Sequence, residues 1–491
     1  MFEFDGRRLV LDVDGERYYH AEALAAAGYG IQSDGVGGWY FDVGGKRLRG
    51  AQALAAAIPG VFDAGDGRWY SDVGGKRLWD DGALIGKGRL ARSRLGFLGD
   101  SIMQANHVWS ATNAFGWTMG LGEIAWANAL WPHFEYDTWY DGDAVPDFTG
   151  MNAGIGDNTS AQALARVDAL LAYSPAVVII SVGVNDVNGS VPAATTMANL
   201  KAACDKCTSR GIPVILSTVR PEGVSALPDA DPRLIILQDI NTLIRAYAPA
   251  APNVHLWDVN LAYDDGAGRP IAGYTLDGTH PSRTGAQAGG ASLLPVLQPL
   301  FPEAFSYIPT SPSLELLSQM AGTGGGGATR SSGPTAAGWI AAFQGAGTCT
   351  CVKSKNGADK QVLTFTIQAA GSAREVFIIS RAAGTIPVTP GSWVRSYIRV
   401  RLGAWTGWRN VATALFASGG MASPAADARI EASEEVVLDI LGPPWQVPVG
   451  VTTQAPACQI DIDGQAVGVG VAVVERIALF EVPDPRPLHG V

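Results

Sequence analysis

Cysteine, charge and long apolar runs are all scarce in this chain. Five cysteines among 491 residues make no disulfide framework, which needs dense and regularly spaced pairs. Cys204 and Cys207 form a C-x-x-C, but in a helix-like stretch with no second ligand pair nearby, so packing is favoured over metal or redox chemistry. Cys349 and Cys351 alternate, as two residues on one face of a strand do. Charged residues make up only 16%, with a net charge of −11. That balance excludes the dense positive patches used to wrap nucleic acid or dock on anionic lipid, so neither nucleic acid nor membrane is an expected partner. No run approaches the roughly 18 apolar residues of a membrane span. The start, Met1-Phe2-Glu3-Phe4-Asp5-Gly6, lacks the basic and apolar regions of a signal peptide, so general secretory export is not expected.

What is present is apolar and glycine-rich. A hydrophobic share of 47% is enough for real cores, and 61 glycines suggest tight turns and β-rich parts. Length alone suggests about three domains.

The first of these, residues 1–90, is repetitive. Asp12-Val13, Asp42-Val43 and Asp72-Val73 stand thirty apart, as do Gly15, Gly45 and Gly75, then Arg17, Arg47 and Arg77, then Leu24, Leu54 and Leu84. Each unit reads as a β-hairpin turning at its glycines, followed in the first two copies by a short Ala/Leu helix or turn. A unit this short cannot bury its own apolar face, so neighbours must stack. A role in homo-oligomerisation or attachment is expected, with glycan binding through Trp39-Tyr40 and Trp69-Tyr70 as the alternative.

Residues 91–305 alternate strands and helices. Apolar runs at Leu95–Leu98, Ala176–Val182, Ile212–Leu216 and Val254–Trp257 predict buried parallel strands, with a further strand in Phe134–Tyr140. Helices are expected near Ile102–Ala111, Ala161–Leu171, Thr195–Ser209, Leu237–Ala248 and Thr284–Leu297. The implied fold class is α/β, three layers around a parallel sheet. Residues 306–333, with Gly324–Gly327, read as a flexible linker. Residues 334–491 read as a β-sandwich that could bind carbohydrate, from runs such as Val362–Gln368, Val376–Ile379, Trp393–Val400 and Val467–Val474.

Four short blocks carry the chemistry. Gly99-Asp100-Ser101 lies where a strand enters a helix, beyond the carboxyl end where α/β sheets bind ligands. A serine there is exposed beside amides that favour developing negative charge. Asp277-Gly278-Thr279-His280 places a carboxylate three residues before a histidine, near enough to hold Nδ1 and leave Nε2 as a base toward Ser101. Asn185, in Gly183-Val184-Asn185-Asp186, follows the most apolar strand and can aim its amide into the same cleft. The fourth block, Asn152 to Thr159, is a loop whose glycines permit close backbone approach.

Together and in this order, the blocks resemble the SGNH (GDSL-like) hydrolase family over about Arg94 to Leu300. The resemblance implies a flavodoxin-like parallel sheet and a triad of Ser101, Asp277 and His280. It also implies an oxyanion hole from the Ser101 amide, the Asn185 side chain and an amide of the Asn152–Thr159 loop. Relatives often read Gly-x-Gly-Gly-Asn-Thr in that loop, whereas here the glycine before Asn158 is replaced by Asp157, with Gly156 beside it. Either residue is a candidate donor, since Asp tolerates left-handed backbone better than most.

The expected reaction is ester hydrolysis through an acyl-enzyme, with no metal and no organic cofactor. Flanking modules similar to those of phage or phage-like particle spikes point to O-acetyl groups of a bacterial surface polysaccharide. Such a protein would ride on a particle or reach the cell surface after lysis, the cytoplasm being the alternative. The other readings are a glycan-binding adhesin or receptor-binding spike with a weak or inactive hydrolase domain, and a lipase or thioesterase. Tryptophans 109, 117, 126, 131 and 139 either line the site or pack in a core. Since all four blocks lie between Arg92 and Pro302, that segment alone is expected to cleave small esters.

Overall fold

The structure is a computed structural model that describes residues 94–106, 122–136, 151–173, 175–301 and 308–482 with short interruptions, and the backbone of nine strands between residues 2 and 79. The chain forms two compact units, Met1–Arg92 and Ser93–Val491.

In the first unit the thirty-residue period reappears as strand register. Asp12 pairs with Arg17, Asp42 with Arg47 and Asp72 with Arg77, each in an antiparallel hairpin. One further short strand pairs with each hairpin, giving three three-stranded sheets. The turn glycines, and the Ala/Leu stretches expected to be helical, lie outside the described residues.

The second unit begins with a five-stranded, wholly parallel sheet, built from β1 (Leu95–Gly99), β2 (Asn152–Gly154), β3 (Val177–Ser181), β4 (Val214–Ser217) and β5 (Val254–Trp257) in the order β2-β1-β3-β4-β5. Strands β1 to β4 are buried along their whole length, as a sheet covered by helices on both faces requires. The order reverses at β1, and the crevice beside that reversal is where such folds bind ligands. Gly99 ends β1 because a Cβ there would lie 2.3 Å from the Ser181 carbonyl. The helices Ser160–Leu171, Ala193–Thr208, Arg233–Tyr247 and Arg283–Leu297 fall where the apolar periodicity predicts them.

Three local expectations need correction. Asn152–Gly154 is an edge strand rather than loop, held by Asn152, whose side chain accepts from the Gly154 amide (2.8 Å) and donates to the Met103 carbonyl (3.2 Å). In the Phe134–Tyr140 stretch only Glu135 bridges to the sheet, at Arg94, and residues 137–140 lie outside the described set. The Phe134 carbonyl is taken instead by the Asn128 side chain at 2.7 Å. The helix entered at Ser101 ends at Gln104. There Asn106 turns its amide back onto the Ile102 and Met103 carbonyls, while its oxygen accepts the first amides of helix Glu123–Leu130.

Residues 331–482 form a β-sandwich of two sheets. One runs Ser331–Ser332, Thr350–Lys355, Gln361–Ile367, Gly468–Val482, Trp393–Leu402, Val436–Leu441, and the other Trp339–Gln344, Glu375–Arg381, Thr453–Ile462, Trp408–Ala417, Gly420–Met421. Burial alternates along Gln361–Ile367, so one face points inward. Phe365 of the first sheet meets Phe343, Phe377 and Trp408 of the second edge-on, with ring centroids 6.0, 5.1 and 5.7 Å apart.

The sandwich packs directly on the α/β layers. Trp126, Ala129 and Ala286 belong to the sandwich core, while Tyr397, Leu441, Ala478 and Phe480 belong to the α/β core. Within the glycine-rich stretch, Leu314 donates its amide to the Leu479 carbonyl (2.7 Å), and Ser318 accepts from the Ile477 amide (3.0 Å). No helix among the described residues is long and apolar enough to cross a membrane.

Candidate active site

The parallel sheet brings four distant segments to one edge. Ser101 is the first helical residue after β1, and Asp100 caps that turn by accepting the Ile102 amide at 3.0 Å. Ser101 Oγ lies 2.9 Å from His280 Nε2, although 179 residues separate them. His280 Nδ1 lies 2.7 Å from Asp277 Oδ2. The other Asp277 oxygen accepts the Thr279 and His280 amides at 2.9 and 2.8 Å, so the turn holds its own carboxylate in place. Burial raises the Asp277 carboxyl, but the hydrogen bonds from the His280 amide, its ring and the Thr279 amide outweigh this and keep it below its ordinary value. Gly278 sits in that turn at φ +99°, open to glycine and strained for other residues.

The oxyanion candidates separate in their surroundings. The Gly156 amide already donates to the Gln104 side-chain oxygen at 3.0 Å. Asp157 is exposed and adopts φ +61°, the left-handed backbone of the position where relatives carry glycine. Asn185 donates one side-chain hydrogen to the Asn158 carbonyl at 3.0 Å, and its NH2 group carries a second. Asp186 turns the other way. It accepts the Ser160 amide and hydroxyl (2.7 and 2.5 Å) and anchors the start of helix Ser160–Leu171.

Several supporting residues lie outside the four blocks. Arg166 donates to the Gly99 and Ala153 carbonyls (2.9 and 3.1 Å) and to the Asn158 side chain (2.5 Å), joining the nucleophile strand to the loop after β2. Arg220, fully interior, pairs with buried Glu123, donates to Ser181 Oγ at 3.2 Å and lies over the rings of Trp257 and Tyr263. Tyr263 also donates to Glu123, at 2.8 Å. Such a pair is costly to break, because removing one partner strands a buried charge.

Beside the nucleophile turn is a cavity of about 10 Å³, on the scale of a single water, whose wall mixes polar Asp100, Ser181, Arg220 and Glu222 with apolar Ile102 and Val219 among others. Burial pushes the Asp100 carboxyl up to about 6, against the Ile102 hydrogen bond and the charges of Arg220 and His280. Burial likewise pushes Glu222 up to about 7. The Thr279 hydrogen bond and Arg233 oppose that rise, and Asp277 and Asp100 reinforce it. Trp126 is fully buried and Trp131 packs against the α/β core, so both are packing residues. Trp109, Trp117 and Trp139 lie outside the described residues. Cys204 and Cys207 are buried free thiols pushed up to about 12, chiefly by burial. Among the described residues, no group of three or more His, Cys, Asp or Glu side chains is placed to hold a metal ion.

The GDSL-like lipase/acylhydrolase family profile matches residues 97–288, the span that carries all four blocks. Esterase TesA of Pseudomonas aeruginosa is 30% identical over 155 residues, which is 31% of this chain and 72% of that protein. The chain belongs to the GDSL-like lipase/acylhydrolase family. Family membership carries esterase or acylhydrolase chemistry, the hydrolysis of a carboxylic ester. Solved structures similar to it include a lipase/acylhydrolase from Enterococcus faecalis (20% identity, 43% of this chain and 99% of that one, TM-score 0.34). Another is a lipolytic protein of the G-D-S-L family from Desulfitobacterium hafniense (20% identity, 42% and 99%, TM-score 0.32).

Proposed function

We propose that this GDSL-family chain is a serine esterase that removes O-acetyl groups from a bacterial surface polysaccharide. The observation that carries the mechanism is the unbroken chain Ser101 Oγ, His280 Nε2, His280 Nδ1, Asp277 Oδ2, with links of 2.9 and 2.7 Å. Ser101 attacks the ester carbonyl while its proton passes to Nε2, and Asp277 holds the ring and stabilises the imidazolium. The proton then goes to the departing sugar hydroxyl. Water activated by the same nitrogen cleaves the acyl-enzyme and releases acetate. The oxyanion is met by the Ser101 amide, the second hydrogen of Asn185 and the amide of Asp157. Asp157 is preferred to Gly156 because the Gly156 amide already has a partner in Gln104.

Two observations support a small acyl group on a polymer. The cavity adjoining the nucleophile turn is small, and a β-sandwich is packed against the α/β layers. The repeated hairpins of the first unit support attachment or self-association. An exposed Leu276 next to Asp277, with an exposed Val224 on the segment that bonds to the same turn, favours the second reading, a lipase or thioesterase.

Acetate release from a panel of acetylated polysaccharides tests the first reading, run beside p-nitrophenyl acetate and octanoate. Acetyl esters should be cleaved faster, and a preference for octanoate would move the assignment to lipase or thioesterase. Binding without any turnover would move it to an adhesin. Asn185→Ala should lower kcat by about 10²–10³-fold with little change in KM, because its second hydrogen bond strengthens only as the oxyanion forms. A change confined to KM would mean that Asn185 only holds substrate.

A further inference from the structure

Glu222 is a carboxylate with no place in the four blocks, yet it is only 1% exposed. It follows β4, three residues beyond the Val219 backbone that Asn241 ties down from both sides, at 2.7 and 2.8 Å. Its Oε2 accepts the Thr279 hydroxyl at 2.6 Å, its buried Oε1 has no partner among the described residues, and the residue lines the small cavity beside Asp100. Arg269 fixes its backbone by donating to the Glu222 carbonyl at 2.8 Å.

The same short segment holds the histidine turn at two more points. Gly223 donates its amide to the Gly278 carbonyl at 2.7 Å, and Ser225 donates its hydroxyl to the Asp277 carbonyl at 2.8 Å. Three successive residues, Asp277, Gly278 and Thr279, are thus each bonded to segment 222–225. The turn itself is half-exposed, and its internal hydrogen bonds orient the Asp277 carboxylate relative to His280 but not relative to Ser101. The distance from Nε2 to Oγ must be set by something anchored to the sheet, and Glu222 is the one charged side chain of segment 222–225.

We propose that Glu222 is a positioning residue, which through Thr279 docks the Asp277–His280 turn at the height where Nε2 meets Ser101. The proposal rests on the serine esterase reading above. A buried carboxyl keeps this grip because losing the Thr279 hydroxyl would leave its second oxygen buried without a partner as well. The turn is therefore pulled inward rather than left to sample open positions. Misplacement of about 1 Å at a reacting group is enough to cost orders of magnitude in rate.

The test is a double-variant cycle on the full chain. Glu222→Ala and Thr279→Val should each lower kcat by about 10- to 100-fold with KM within about twofold. The double variant should fall no further than the worse single one, because both remove the same link. Thr279→Ser should restore activity, as it returns the hydroxyl. Nitrogen NMR of the His280 ring supplies a readout independent of turnover: the Nε2 shift set by its hydrogen bond to Ser101 should move toward the value of an unbonded nitrogen in both variants. Ser101→Ala, which lacks the hydroxyl, gives that unbonded value. Thr279 is partly exposed, so its valine variant decides the matter even if Glu222→Ala fails to fold. Unchanged kcat in Thr279→Val, or losses that multiply in the double variant, overturn the positioning role while a dead Ser101→Ala leaves the esterase reading standing. Residual turnover in Ser101→Ala overturns that reading instead, and the NMR signal still decides whether Glu222 holds the turn.

Discussion

Replacing Ser101 by alanine should reduce hydrolysis of a small acetyl ester by about 10⁴- to 10⁶-fold, since nucleophile and base act as one unit and the loss of either removes covalent catalysis. The fold should survive. Ser101 begins a four-residue turn that is capped by Asp100, and the alanine removes one hydroxyl whose described bond is to His280. A change in unfolding free energy beyond about 1 kcal/mol is not expected for losing a single partly exposed hydrogen bond. Release of p-nitrophenol from the acetate ester gives the rate, and thermal melting gives the stability. Turnover within about tenfold of the parent, at unchanged stability, would sink the assignment of Ser101 as nucleophile.

Much of this arrangement is legible in the sequence. Strand β3 announces itself as Val177-Val178-Ile179-Ile180, an apolar run too short for a helix and too continuous for a half-exposed strand. The thirty-residue period of the first unit is plain because three copies restate it, and it returns as identical hairpin register. The Asp277–His280 pair could be read because its geometry is local, three residues on one turn.

What stayed hidden is long-range or lacks a period. Glu222 is a lone acid after Arg220-Pro221, and nothing in its neighbours tells a buried grip on Thr279 from a solvated side chain. Asn106 reads as an ordinary helix residue, although it ends one helix and accepts the Ile124 amide in the first turn of the next, 18 residues on. Arg166 sits in an Ala/Leu-rich helix and carries no sign that it joins β1 to the loop after β2. The docking of the sandwich was equally invisible. Glycines 324–327 suggest freedom, whereas what fixes the sandwich is apolar surface on Trp126 and Phe480, far from those glycines in sequence.

That interface leads to the second large effect. A fragment covering residues 93–301 contains every block of the site, yet it should be poorly folded and should lose most small-ester activity. Helix Glu123–Leu130 packs between helix Arg283–Leu297 and the sandwich strand Val436–Leu441. Trp126 on that helix has no exposed surface in the intact chain, and its neighbours include sandwich core residues. Exposing an indole of 150–250 Å² at about 25 cal/mol per Å² forfeits up to about 4–6 kcal/mol. The whole stability of a domain is only about 5–15 kcal/mol, so this loss alone can decide the balance. The damage should also reach the site, because Glu123 at the start of the helix pairs with Arg220, which bonds Ser181 and lines the cavity beside Asp100. Residues 93–482 should behave like the intact second unit. Melting curves and p-nitrophenyl acetate turnover for the two fragments check the idea, with Trp126→Ala in the full chain as a point test expected to cost about 3–5 kcal/mol. If residues 93–301 melt within a few degrees of residues 93–482 and turn over the acetate equally fast, the sandwich is an appended module and not a part of the folding unit.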